Sequence, residues 1–229
     1  MKHILKYTFS LLFVLFSIVG NAQKQDTTKI AQRYGLRVGL DLHRLSKSFY
    51  DNDYKGLEIV GDYRVSKKFY IAGELGNEDK TVDDDRFNFT TKGTYFKVGF
   101  DYNAYENWLD MENMIYAGMR YGVSSFSQTL NTYTIYDPTN YYGENTVVSG
   151  EKFNGLTASW LEVVGGIKAK IVNNFYLGFS VRLNYLVSNK KPDTFDNLYI
   201  PGFNRTYDGK FGAGFNYTLS YMIPIYKKK

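Results

Sequence analysis

Hydrophobic stretches in this chain alternate with period two, and the ionisable residues keep to one of the two faces this creates. Gly35-Leu36-Arg37-Val38-Gly39-Leu40-Asp41-Leu42-His43 shows it best, with leucine or valine at every even position and glycine or an ionisable residue at every odd one. A strand turns successive side chains to opposite faces, so this segment has one apolar face and one polar, glycine-rich face. Eight such segments are expected as strands, at 34–43, 55–65, 69–77, 92–102, 114–124, 158–171, 175–187 and 209–225. One apolar face per strand fits either a soluble sandwich or a membrane barrel.

The polar faces separate the two. They carry Arg37, Asp41, Glu58, Asp62, Arg64, Glu74, Lys97, Asp101, Arg120, Glu162, Lys168, Lys170 and Arg182, interleaved with glycines such as Gly76, Gly99, Gly118 and Gly178. A solvated outer sheet face rarely uses so much glycine, which weakens a strand and packs nothing. In a narrow closed barrel, glycine makes room for long charged neighbours, and eight strands leave an interior that side chains just fill. The apolar faces, such as Phe96, Val98, Phe100 and Tyr102, or Phe175, Leu177, Phe179, Val181 and Leu183, contain no charge. Lipid contact demands this, because a lysine or arginine facing mid-bilayer costs about 2–4 kcal/mol. The expectation is therefore an all-β fold: an eight-stranded antiparallel up-and-down transmembrane β-barrel over 34–226, its lumen filled by a near-neutral charge network.

The start of the chain agrees with export. Lys2, His3 and Lys6 form a basic region, Leu11 to Val19 an apolar core, and Gly20-Asn21-Ala22 a small-residue cleavage site. Residues 1–22 read as a secretory signal peptide, whose apolar run of roughly a dozen residues is short of the ~20 a spanning helix needs, with a periplasmic segment at 23–33 and a basic tail at 227–229. The sequence has no cysteine, so no disulfide framework is available. Its formal charge of +5 falls to +3 without Lys2 and Lys6, which makes no case for nucleic acid.

Connection lengths alternate too. Segments 44–54, 78–91, 125–157 and 188–208 read as long polar loops, whereas 66–68 and 172–174 are tight and 103–113, around Trp108, is intermediate. Outer-membrane barrels have short periplasmic turns and longer outer loops, so both termini are expected in the periplasm. A faint repeat pairs Leu57-Glu58-Ile59-Val60-Gly61 with Leu161-Glu162-Val163-Val164-Gly165. It reflects either duplication of a four-strand unit or shared barrel composition.

The export signal, eight alternating strands and an aromatic C-terminal strand resemble the small outer-membrane barrels of Gram-negative bacteria, the OmpA-like and OmpX-like group. Asp62-Tyr63-Arg64, Asn103-Ala104-Tyr105-Glu106-Asn107-Trp108 and Ile200-Pro201-Gly202-Phe203-Asn204-Arg205-Thr206 are similar to segments of an uncharacterised family of such barrels. The resemblance covers nearly the whole mature chain. It implies fold and an outer-membrane location but no activity. One departure is the C-terminus, where Tyr226 is followed by three lysines rather than ending the chain.

Three sets of residues are candidates for function. His43, beside Arg44, Ser46, Ser48 and Asp51, has the residue types of a lipid acyltransferase site near the outer surface, although catalysis needs mutual geometry. Asp83-Asp84-Asp85 with Glu78 and Asp79 offers oxygen ligands for a cation, but the spacing is not that of an EF-hand and an acidic outer loop is commonly just solvated. Tyr133, Tyr136, Tyr141 and Tyr142 make the longest loop a candidate recognition surface, since tyrosine offers large contact area at low entropic cost. The reading calls for no catalytic residue, cofactor or metal. It favours a structural or loop-binding outer-membrane protein, whose partners are outer-membrane lipid, lipopolysaccharide and an extracellular ligand or protein. A lipid-modifying enzyme near His43 and a narrow channel are the alternatives, the channel disfavoured because thirteen charged side chains would crowd the lumen.

Overall fold

A computed structural model describes residues 32–228 apart from 106–111, 136–144, 193–195 and 207–208. The elements are β1 (Gln32–Asp41), α1 (Leu42–Tyr50), β2 (Tyr54–Arg64), β3 (Phe69–Asp84), β4 (Phe87–Asn103), β5 (Met114–Ile135) and β6 (Asn145–Val172). They continue with β7 (Phe175–Asn189), the two-residue β8 (Tyr199–Ile200) and β9 (Asn204–Arg205), and β10 (Phe211–Lys228). Eight strands close in the order β1-β10-β7-β6-β5-β4-β3-β2, every neighbouring pair antiparallel, while β8 and β9 form a separate small hairpin.

Burial along each strand fixes which face is which. Val98 is 44% exposed while Lys97, beside it on β4, is completely buried. The same inversion recurs throughout: apolar side chains stand outside the ring and charged ones inside. Such a surface is stable only where the outer solvent is hydrocarbon, and a closed barrel leaves no strand edge unpaired within it. The fold is that of a small outer-membrane barrel. On β5 the apolar outer face runs from Ile115 to Val123, then changes to Ser125, Ser127 and Thr129. At ~3.4 Å per residue and a tilt of ~40°, that belt is roughly 20 Å high, close to the band such barrels present to lipid.

The strands do not stop where the apolar belt stops. Segments 78–91 and 125–157, expected as polar loops, are instead mostly strand: β3 and β4 pair out to Asp84–Phe87, and β5 and β6 to Ile135–Asn145. The polar residues there are the outward half of a continuing alternation, whose inward half includes Glu78, Val82, Phe89 and Leu130. Polarity was a poor guide because the solvent outside the wall changes from lipid to water while the strand continues. Segment 44–54 is also not an irregular loop. Most of it is α1, whose N-terminus is capped by Asp41, the carboxylate accepting from the amides of His43 at 2.7 Å and Arg44 at 3.3 Å. Segment 188–208 contains the β8–β9 hairpin. The basic tail is partly strand, with Lys227 and Lys228 pairing Arg33 and Gln32 of β1.

One place in the wall lacks a strand. The β1 ladder ends at Asp41–Thr218 against β10 and at Leu40–Ile59 against β2, although β10 extends back to Phe211 and β2 begins at Tyr54. Helix α1 fills this notch, packing on both strands.

Candidate functional site: a sealed, charge-filled lumen

Inward side chains build the lumen in layers. At the end carrying the short turns, Asp62 accepts from Arg37 at 2.7 Å and from Lys168 at 2.6 Å. The Arg37 guanidinium also lies 4.9 Å from the Tyr70 ring and 5.3 Å from that of Tyr176. Arg64 donates to the backbone carbonyls of Lys67, Ser66 and Arg33, so it ties turn and strand. Arg33 forks onto Glu112, which also accepts from the Tyr176 hydroxyl at 2.6 Å and has Lys170 at 3.8 Å. Partial burial works to raise the pKa of Glu112, yet the Arg33 guanidinium and the Tyr176 hydroxyl hold it below the usual carboxylate range. A small cavity lies among Arg33, Arg37, Arg64, Tyr70, Glu112 and Tyr176.

The middle layer is dense with charge. Arg182 donates to Glu74 through both terminal nitrogens, at 2.5 and 3.0 Å, and to Glu162 at 3.2 Å. Lys97 sits among three carboxylates, Glu162 at 3.1 Å, Glu74 at 3.4 Å and Glu58 at 3.8 Å. The two repeat-related glutamates, Glu58 and Glu162, thus share one lysine. Arg120 pairs with Asp101 at 2.7 Å and approaches Glu74 at 3.6 Å. All thirteen charged residues of the strand polar faces line the inside, eleven of them buried and Lys168 and Lys170 half-buried.

Four further members came from segments without a strand assignment: Arg33, Arg44, Glu78 and Glu112. Glu78 shares the parity of Glu74 and Gly76, so a longer reading of the alternation would have placed it. No periodic signal marks Arg44, which reaches the lumen from α1. Its guanidinium meets Glu78 at 2.8 Å, Glu58 at 3.2 Å and Asp41 at 3.7 Å. Glu78 also accepts from the Tyr54 and Tyr199 hydroxyls and from the backbone amide of Gly202, at 2.9, 3.0 and 3.0 Å. Glu58 accepts from Tyr95 at 2.6 Å and from Asn216 at 3.2 Å.

The β8–β9 hairpin closes the loop end. Ile200 and Phe203 are fully buried against Tyr95, Phe126, Leu156, Ala158, Trp160 and Leu186. Gly202 between them has φ +82, and a Cβ there would press on the Tyr95 ring, so both backbone and space require glycine. Trp160 turns its indole N–H to Glu162 at 2.7 Å, joining the apolar cap to the charged layer. The resemblance segment Ile200–Thr206 is therefore largely a plug.

The other candidate sets are dispersed. His43 stacks on Phe215 with ring centroids 4.6 Å apart and lies 5.5 Å from the Tyr217 ring. Ser46 binds the Tyr217 hydroxyl, Ser48 binds Gly56, and Asp51 accepts from Lys80. Neither serine hydroxyl is brought to the imidazole. The acidic run is split by the strand alternation and its tight turn. Glu78 is buried, Asp79 pairs with Lys92, Asp83 accepts from Asn88 and Asp84 lies 3.9 Å from Arg205. No group of three potential metal ligands occurs among the described residues. Tyr133 is a strand residue, 38% exposed on the outer face of β5, while Tyr136, Tyr141 and Tyr142 lie outside the described residues. So do the signal segment and Trp108.

Two solved structures are similar in architecture. Ail, the attachment invasion locus protein of Yersinia pestis, is 10% identical with a TM-score of 0.41, over 83% of this chain and 98% of its own. Neisserial surface protein A, NspA, is 11% identical with a TM-score of 0.44, over 84% and 99%. Likeness at this level says nothing about activity. No curated protein matches the chain. The sequence pattern of a domain of unknown function, DUF6048, spans residues 4–228, and the chain belongs to that family.

Proposed function

We propose that this is a non-catalytic outer-membrane protein that holds a rigid, non-conducting barrel in the bilayer and presents the β3–β4 and β5–β6 hairpins outside the cell. The observation that carries the reading is the pairing of a plugged lumen with strands that outrun their apolar belt. Past Val123, β5 continues for a further height of about 30 Å at a tilt of ~40°, with an outer face that is polar through Ser125, Ser127, Thr129 and Asn131. A transport path would need that space inside the wall, whereas here the loop end is filled by Arg44, Ile200 and Phe203. An acyltransferase reading would need a hydroxyl at His43, and that imidazole instead stacks on Phe215 while the Ser46 and Ser48 hydroxyls bond Tyr217 and Gly56.

In this reading residues 1–22 direct export, both termini are periplasmic, and Tyr133 with Tyr136, Tyr141 and Tyr142 belongs to a recognition surface for an extracellular ligand or protein. Lipid and lipopolysaccharide surround the belt. An epitope inserted between Asp85 and Arg86 should be stained on intact cells, and one between Asn173 and Asn174 only after permeabilisation. Staining of the second on intact cells would invert the topology. Stepwise conductance of the purified protein in planar bilayers would replace this reading with the channel.

A further inference from the structure

The notch between β10 and β2 gives α1 four different surroundings, and the sequence of the helix matches each of them. Inward, Arg44 joins Asp41, Glu58 and Glu78. Toward β2, the Ser48 hydroxyl accepts from the Gly56 amide at 2.8 Å and lies 3.1 Å from the Gly56 carbonyl. Gly56 is in the part of β2 that β1 does not reach. Toward β10, the His43 ring stacks on Phe215, which β1 also does not reach, and the Ser46 hydroxyl meets the Tyr217 hydroxyl at 2.8 Å. Ser48 thus bonds backbone groups on the β2 margin that would be costly to leave unmade in a bilayer, while ring stacking and a hydroxyl contact fix the helix to β10.

The fourth face is apolar. Leu42, Leu45 and Phe49 follow the i, i+3, i+7 spacing of one helix stripe, turned away from Arg44. Leu42 and Leu45 are half-buried and Phe49 is 81% exposed. The strands flanking this stripe present Leu40, Leu57 and Phe215 outward, all members of the lipid-facing belt. Tyr50, 70% exposed, and Lys55 lie at the helix end and on the adjacent stretch of β2. Aromatic rings beside a cation are typical of the headgroup boundary.

We propose that α1 is a membrane-facing section of the barrel wall, and that its Leu42–Leu45–Phe49 stripe is covered by lipid acyl chains of the outer leaflet just below the headgroups. The occupant follows from continuity with the belt on both sides of the notch, not from the apolar stripe alone. Arg44 together with the side chains that contact β2 and β10 holds the helix in register, so the stripe completes the lipid-facing surface where β1 has ended.

The absence of native cysteine permits site-specific labelling. Single variants Phe49→Cys, Leu45→Cys, Val123→Cys and Ser127→Cys would carry an environment-sensitive fluorophore, each checked for a heat-modifiable gel band and reconstituted in phosphatidylcholine vesicles. Brominated acyl chains should quench the Phe49 and Leu45 labels several-fold more than the Ser127 label, approaching the level of Val123. Iodide in the aqueous phase should show the opposite order. Quenching of the Phe49 label by brominated chains no greater than that of Ser127, with Val123 still quenched, would overturn the proposal. Loss of quenching at Val123 as well would remove the barrel's lipid belt itself, a separate failure.

Discussion

The loop end of this barrel has two unlike walls. From β3 to β6 the strands pair well past the apolar belt, and their backbone hydrogen bonds are made strand to strand. At β10–β1–β2 the middle strand ends early, and a helix closes the opening through side chains. A wall of paired strands depends little on any single side chain. A notch filled by a helix depends on the few that reach across it. The contrast also explains why one arginine serves three carboxylates here, while outer charges on the tall wall pair singly at the surface.

The largest consequence should appear at Arg44. Replacing it with methionine leaves Glu58, Glu78 and Asp41 facing one another in a buried layer, so a loss of about 3–5 kcal/mol is expected from urea unfolding in detergent. On the tall wall, Lys92→Met removes the partner of Asp79 at a site where the lysine is 64% exposed, and about 0–1 kcal/mol is expected. Adding Glu78→Gln to Arg44→Met should recover part of the loss. Similar urea midpoints for the Arg44 and Lys92 variants would erase the distinction between the walls.

The height of each wall relative to the bilayer gives a second measure. Phe179→Arg and Val98→Arg place a cation on the belt and should cost about 2–4 kcal/mol, seen as a reduced fraction of folded protein in vesicles. Ser127→Arg lies above the belt on β5 and should stay within about 0.5 kcal/mol of the parent. If Ser127→Arg impaired insertion as strongly as Phe179→Arg, the tall wall would be immersed in lipid rather than standing above it.

These contrasts also show what could be read in advance. Alternation marks the eight wall strands and the inward face because a two-residue period survives any surrounding, as at Glu58, Lys97 and Arg182. It failed at strand ends, where Asp79, Thr81 and Thr90 looked like loop residues because the outer medium turns aqueous. It also missed α1, a nine-residue helix whose amphipathic stripe is only three residues long. Arg44 and the plug residues Ile200 and Phe203 depend on a chain folding back into the lumen, which no local period encodes. Grouping His43, Ser46 and Ser48 by chain proximity misled because the helix turns Ser48 to β2, and Ser46, although beside His43 next to β10, gives its hydroxyl to Tyr217 rather than to the imidazole.

A smaller effect tests whether Ser48 stands in for the missing strand. Ser48→Ala should cost about 1 kcal/mol by loss of its bonds to Gly56, and hydrogen exchange at the Gly56 amide should quicken. Thr81→Ala on the tall wall loses only a hydroxyl contact to Thr90 and should cost a few tenths, about 0.2–1 kcal/mol at most. Exchange at the Thr81 amide should not change, because that amide bonds the backbone carbonyl of Asp53. Unchanged exchange at Gly56 would mean that water, not Ser48, satisfies the strand margin.

The two walls meet across the lumen at the turn end, where Arg33 of β1 binds Glu112 from the connection between β4 and β5. Arg33 and Tyr176 lower the pKa of Glu112 below its ordinary range, so the folded state binds this proton more weakly than the unfolded chain. Stability from the pair is therefore fully present above the ordinary carboxylate range and is lost as pH falls through the lowered value. Both side chains keep about a fifth of their exposure, so the contribution is expected to be modest, about 0.5–1 kcal/mol. Buried carboxylates elsewhere in the lumen add their own pH dependence, which a difference measurement cancels. Urea midpoints of the parent and Arg33→Gln should differ at pH 7 and converge toward pH 3. A constant difference across that range would show that Arg33 acts through packing against its neighbours rather than through the charge of Glu112, and the join between the walls would then be independent of pH.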